Sequence, residues 1–188
     1  MQDLKERYKN EIVPELKKEL GVGNVFDCPR VEKIVINVGV GRWVTKDPSR
    51  KDEILEKIFH DLSLITGQKP QVRKARKSIS GFSVKEGMPI GVRVTLRGKR
   101  MYQFLEKLIS IVFPRIRDFK GIKRSSVDQS GNLSIGIKEQ LVFPEISADD
   151  TNFLFGMEIT VATSAKSKEE GVTLLSKLGV PFESSEKK

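Results

Sequence analysis

Ile90-Gly91-Val92-Arg93-Val94-Thr95-Leu96-Arg97 is the stretch that decides the fold. Ile90, Val92, Val94 and Leu96 alternate with Gly91, Arg93, Thr95 and Arg97. A period of two belongs to a strand with one buried and one solvated face. Val31 to Val38 repeats the pattern, with Ile34, Ile36 and Val38 on one side and Lys33, Val35 and Asn37 on the other. Asn132 to Ile137 and Met157 to Thr163 alternate in the same way. Such strands form a sheet that helices cover on one side only. The expected class is α+β: two layers, a mostly antiparallel sheet with helices packed on one face and the other face open, plus a long basic loop.

The covering helices are legible from their four-residue steps. Leu4, Tyr8, Ile12, Leu16 and Leu20 mark an amphipathic N-terminal segment over residues 1–22, bent or restarted near Pro14 and ended by Gly21-Val22-Gly23-Asn24. Asp47-Pro48-Ser49 starts a second helix with Ile54, Leu55, Ile58, Phe59, Leu62 and Ile65 on its inner face, ending at Gly67. Gly98 leads into a third, with Met101, Phe104, Leu105, Leu108 and Val112 inward and Pro114 as its stop. Ser167-Lys168-Glu169-Glu170 is a capping box that opens the last helix. Gln71 to Ile79 reads as a strand with poorly separated faces, Ser80-Gly81-Phe82-Ser83 as a turn, and Arg115 to Asn132 as loop. With 188 residues the chain is expected to be a single domain with a frayed tail at Ser184 to Lys188.

Charge singles out one region. From Lys69 to Arg100 stand Lys69, Arg73, Lys74, Arg76, Lys77, Lys85, Arg93, Arg97, Lys99 and Arg100 against one acid, Glu86. That window carries the whole formal net charge of +9, and the remainder of the chain sums to zero. A neutral body with one cationic segment is built to meet a polyanion, because each phosphate contact releases condensed counterions. The polar sheet face, with Lys33, Asn37, Arg93, Thr95 and Arg97, offers cations beside neutral hydrogen-bonding groups, a surface suited to RNA. Phe82, between Gly81 and Ser83 at a turn, is expected to be exposed for contact.

Other chemistry is sought and not found. No apolar run reaches the ~18–20 residues of a membrane span, and no hydrophobic signal core follows Met1. The single cysteine, Cys28, allows no internal disulfide, fits a reducing cytosol and reads as a buried or inert thiol. His60 reads as a surface helix residue. Gly39-Val40-Gly41 lacks the third glycine of a dinucleotide loop, since Val44 holds its place. Gly98-Lys99 lacks the flanking residues of a phosphate loop, and Asp149-Asp150 has no companion carboxylates for a two-metal site. The expectation is a non-enzymatic protein without cofactor or metal.

The motifs also carry a resemblance. Pro29-Arg30-Val31-Glu32-Lys33-Ile34-Val35-Ile36-Asn37-Val38-Gly39-Val40-Gly41 is followed by Leu64-Ile65-Thr66-Gly67-Gln68-Lys69-Pro70, then by Lys77-Ser78-Ile79 and Gly87-Met88-Pro89-Ile90-Gly91. Val94-Thr95-Leu96-Arg97-Gly98 runs into Met101-Tyr102, with Pro114-Arg115-Ile116-Arg117-Asp118-Phe119 beyond. Gly136-Ile137-Lys138-Glu139-Gln140, Phe143-Pro144-Glu145-Ile146, Gly156-Met157 and Leu178-Gly179-Val180-Pro181-Phe182 complete the series. In this order the chain resembles the family of large-subunit ribosomal protein five.

The resemblance implies a structural protein of the ribosome's central protuberance that binds 5S rRNA, neighbours 23S rRNA and other central-protuberance proteins, and resides in the cytoplasm. By the family pattern Asn37, Gln68 and Thr95 would hydrogen-bond 5S rRNA; the cations read from the polar sheet face, Lys33, Arg93 and Arg97, would contact its phosphates. The segment Arg76 to Gly87, through Arg76, Lys77, Ser80, Gly81, Phe82, Ser83 and Lys85, would reach P-site tRNA. Arg115, Arg117, Lys120 and Lys123 would face the bridge to small-subunit head protein thirteen. The chain departs from the pattern in extra residues through Trp43-Val44-Thr45-Lys46-Asp47-Pro48, in polar Gln71 and Arg73, and in the absence of a basic residue in Asp149 to Phe155. Charge alone would also suit a free RNA-binding regulatory protein. An RNA-processing enzyme lacks a catalytic cluster, and a membrane-surface protein would need a basic helix where this tract is strand-like.

Overall fold

The computed structural model describes residues 3–147 and 153–183, so the Asp149-Asp150 pair and the expected tail at Ser184 to Lys188 lie outside the described residues. Alternation becomes an α+β fold with one five-stranded antiparallel sheet of order β2-β3-β1-β5-β4. The strands are β1 Val31–Gly39, β2 Gln71–Lys74, β3 Pro89–Leu96, β4 Leu133–Ile137 and β5 Met157–Thr163. Ile34, Ile36 and Val38 are buried, as are Val92, Val94 and Leu96, and Met157, Ile159 and Val161. Their strand neighbours Lys33, Asn37, Arg93, Thr95 and Thr160 are only half-buried. Each fully buried Ile, Leu or Val contributes roughly 1.5–3 kcal/mol over its exposed state, so this alternation fixes which face is covered.

The chain falls into two compact units. One holds the described residues up to Ile34, then Leu96–Ile135 and those from Thr160 onward; the other holds Val35–Thr95 and Gly136–Ile159.

In the first unit the N-terminal helix packs on the helix that begins at Gly98, with Tyr8 and Tyr102 rings 5.9 Å apart. Both helices use one solution to an internal proline. A π-helical turn, Tyr8–Ile12, precedes Pro14, and another, Leu108–Val112, precedes Pro114. In each, the residue before the proline bonds five residues back, Val13 to Tyr8 and Phe113 to Leu108. The wider turn shifts the carbonyl that the proline ring would otherwise strike. Pro114 therefore does not stop its helix, as expected from sequence, but sits within the last turn, Phe113–Arg115. The closing helix, Lys168–Lys177, has the expected cap: Ser167 Oγ accepts from Glu170 N–H, while the Glu170 carboxylate accepts from Lys166 N–H at 2.8 Å. It lies against Gly131, where a Cβ on Gly171 would come within 2.4 Å of the Gly131 Cα, so both positions demand glycine. The stretch 115–132 is not featureless loop. Ile122 and Val127 are buried, and Ile122 bridges to Phe182.

In the second unit the expected start at Asp47 is replaced by three pieces. A short helix Gly41–Lys46 leads through a 3₁₀ turn, Pro48–Arg50, into the helix Lys51–Thr66. The extra residues thus build a helix, and Trp43 sets its ring edge-on to Phe153 at 4.8 Å. On the long helix Ile54, Ile58, Leu62 and Ile65 are buried, but Leu55 and Phe59 are only half-buried, because Asp61 and Thr66 take inner-face positions instead. Asp61 is 1% exposed and is met by Lys57 Nζ at 3.1 Å. The strand expected over Gln71 to Ile79 ends at Lys74, where a register shift against β3 breaks the ladder. Ile90 is 38% exposed rather than buried with Val92, because it lies beyond the covered part of β3.

Candidate nucleic-acid interface

The pairing register builds the polar face in the second unit. Gln71 stands opposite Arg93, and Arg73 opposite Gly91. A Cβ on Gly91 would lie 3.3 Å from the Val38 carbonyl, 3.7 Å from Asn37 Oδ1 and 4.0 Å from Arg73 Cβ. Asn37, Gly91 and Arg73 are therefore lateral neighbours across β1, β3 and β2, and the missing side chain at 91 leaves the amide its room. Gln68 follows the left-handed cap Gly67 (φ 62°) and donates from Nε2 to the Thr95 carbonyl at 3.1 Å. That bond aims the Gln68 amide along β3 and leaves its oxygen available. Among the described residues the Asn37 amide and the Thr95 hydroxyl have no side-chain hydrogen bond, and Arg93 has no carboxylate partner. Of the expected contacts, Asn37, Gln68, Arg93 and Thr95 come together here. Gln71 and Arg73 join them unforeseen, because only the β2–β3 register shows which way they face.

Lys33 and Arg97 belong to the first unit. Lys33 is half-buried, and Arg97 is exposed with Nη1 donating to the Glu32 carbonyl at 3.4 Å. Next to them Arg30, Glu32 and Tyr102 line a polar recess. Burial pushes the phenols of Tyr8 and Tyr102 above their ordinary value, so both stay protonated, and Tyr8 donates to the Pro29 carbonyl at 3.0 Å.

The basic tract is a hairpin laced by backbone bonds. Ala75 N–H donates to the Met88 carbonyl at 2.8 Å, and Ile79 and Val84 exchange backbone bonds of 2.8 and 3.2 Å. Ser78 Oγ accepts from Glu86 N–H, and Ser83 turns the chain at φ 53°. Arg76, Lys77, Ser80, Gly81, Ser83 and Lys85 are all exposed, and Phe82 is 74% exposed, as its place in the turn predicted.

Arg115, Arg117, Lys120 and Lys123 are exposed in the first unit on an anchored segment. Phe119 stacks on buried Phe113 with centroids 5.2 Å apart, and Ile122 N–H bonds the Pro181 carbonyl at 2.7 Å. Gly121 permits that approach, since a Cβ there would lie 2.7 Å from Glu183 N. The buried Gln140, which clamps Phe153 O and Phe155 N at 2.7 and 2.9 Å, gave no sign of its role in the sequence.

Residues 24–85 match the family model of ribosomal protein L5, and residues 89–182 match the model of that ribosomal family's C-terminus. The chain belongs to the ribosomal protein L5 family. Its relatives include large ribosomal subunit protein uL5 of Rubrobacter xylanophilus, 50% identical over 182 residues, which are 97% of this chain and 98% of that protein. The protein of the same name from Oceanobacillus iheyensis is 48% identical over 183 residues, 97% of this chain and 99% of that one. That from Ligilactobacillus salivarius is 50% identical over 179 residues, 95% and 97% of the two chains. As an L5-family member the chain is a structural, non-enzymatic protein of the large ribosomal subunit, located on the ribosome.

Proposed function

We propose that this L5-family protein binds 5S rRNA through its polar sheet residues. The observation that carries the reading is the row Asn37, Gly91 and Arg73, next to Thr95 and Gln68: the Asn37 amide and Thr95 hydroxyl have no side-chain hydrogen bond and Arg73 and Arg93 no carboxylate partner among the described residues, while Gln68 is held by the Thr95 carbonyl. Asn37, Gln68 and Thr95 bond to sugar hydroxyls and base edges, while Arg93, Lys33 and Arg97 contact phosphates and set the register. The exposed hairpin at 76–87 contacts P-site tRNA through phosphate and sugar, since it must accept every tRNA. The cations Arg115, Arg117, Lys120 and Lys123 face small-subunit head protein thirteen across the subunit interface. In the assembled subunit 23S rRNA and other central-protuberance proteins are its neighbours.

The test is 5S rRNA affinity of the full chain carrying Thr95→Val or Asn37→Ala. Thr95→Val keeps shape and removes the hydroxyl, so a loss of about 1–3 kcal/mol is expected where an RNA partner is left unpaired. Unchanged affinity in both variants would refute the assignment.

A further inference from the structure

A groove of about 820 Å³ in the second unit borders the polar row at Arg73 and runs along the base of the exposed hairpin, away from Asn37, Gln68, Arg93 and Thr95. Ile79, Phe82, Val84 and Ile90 form its apolar wall, with Ala75 beneath and the start of the helix Gly41–Lys46 opposite. Ile90 stands where the β2–β3 register shifts, between the pairs Arg73–Gly91 and Lys74–Pro89, and it is exposed where Val92 and Val94 are buried. Ile79, Phe82 and Ile90 are 51%, 74% and 38% exposed, a cluster of bare apolar surface on an otherwise charged hairpin. Around it stand Arg42, Arg73, Lys74, Arg76 and Lys77, none paired with a carboxylate among the described residues. Thr45, on the opposite wall, turns its hydroxyl back to the Gly41 and Arg42 carbonyls at 3.0 and 3.1 Å, so it offers the groove no competing donor.

We propose that this groove takes one or more unstacked bases of single-stranded RNA, with the flanking phosphates held by the cations on its rim. The inference rests on the RNA-binding reading above and adds a second contact to it. Five unpaired cations call for a polyanion. An apolar wall with an open aromatic ring calls for a flat apolar face, and a duplex hides its bases where a single strand presents them. Three of the cations are arginines, whose planar guanidinium groups both fork onto phosphate and stack on bases, which favours RNA over an acidic peptide.

The experiment uses the full chain and fluorescent RNA hexamers in anisotropy titrations. One hexamer is single-stranded, one has the same phosphates but abasic sugars, and one is annealed into a duplex. The single strand is expected to bind roughly ten-fold or more tighter than the abasic strand, the scale of one or two stacked bases. Ile90→Ser, which keeps every cation and an already part-exposed position, is expected to remove most of that difference. Its 5S rRNA affinity, measured in parallel, stays at the wild-type level. Equal affinity for base-bearing and abasic strands, equal affinity for the duplex, or tighter binding of an acidic amphipathic peptide would overturn the proposal. Loss of 5S rRNA binding by Thr95→Val alongside that result would leave the sheet-face reading standing.

Discussion

Replacing Gly91 by alanine separates packing from recognition. The position lies in β3 with Asn37 and Arg73 on either side, and its φ is not in the left-handed region. No backbone strain therefore opposes a side chain. A glycine in a strand interior is less favourable than alanine by roughly 0.5–1 kcal/mol. The new methyl stands 3.3 Å from the Val38 carbonyl, a tight approach that takes some of this back. Net stability is expected to move by less than about 1 kcal/mol. Recognition is different, because the same methyl lies 3.7 Å from Asn37 Oδ1 and fills the space in which RNA would meet that amide. Displacing one such hydrogen bond costs about 1–3 kcal/mol, or roughly 5- to 150-fold in Kd. Thermal unfolding and 5S rRNA titration of the same preparation read the two terms. Unchanged Kd at unchanged Tm would refute the placement of RNA on this row, and a Kd loss that tracks a fall in Tm would reassign Gly91 to packing.

Leu105 is 1% exposed on the inner face of its helix, so Leu105→Ala is expected to cost about 2–5 kcal/mol in denaturant unfolding, and wild-type stability would contradict that orientation. Shortening Ser78 to Lys85 to a tight turn removes the exposed tip and keeps β2 and β3; 5S rRNA affinity is expected to hold while P-site tRNA dissociates faster from ribosomes carrying the variant, for all tRNAs alike. Asp128 accepts from the Asn132 side chain and backbone and from Ser130 N–H, which holds its carboxyl below the ordinary value. A depressed folded-state value contributes stability above the unfolded pKa of about 3.9, lost as pH falls through the folded one. NMR titration is therefore expected to show the Asn132 amide still protected at the ordinary carboxylate pKa and released only at lower pH, and Asp128→Asn abolishes that transition.

The strands and the helix faces were legible because burial imposes a period that side chains display one by one. Met157 to Thr163 matched β5 residue for residue, and the Ser167 cap formed at its expected position. What the sequence hid depended on partners distant in the chain. Gln71 and Arg73 looked like a strand without a clear inside until Arg93 and Gly91 stood opposite them. Leu55 and Phe59 satisfied the helical period, yet Asp61 and Thr66 occupy the buried side, held by Lys57 and by the Leu62 carbonyl. Pro14 and Pro114 signalled breaks that π turns absorb. The site followed the same division. The concentration of charge and the exposed Phe82 were plain, whereas the groove beside Ile90 required the helix Gly41–Lys46, which an expected helix start at Asp47 left out.

The central claim, that this surface is made for folded 5S rRNA and not for charge alone, is tested most directly by salt. Affinity of the full chain is measured for 5S rRNA and for a control RNA of equal length over a series of salt concentrations. With roughly four to six phosphates neutralised, log affinity is expected to fall with log salt at a slope of about −3 to −5. The preference for 5S rRNA is expected to persist at each salt concentration, because Asn37, Gln68 and Thr95 contribute contacts that ions do not screen. Equal affinity for the two RNAs across the series would contradict the account.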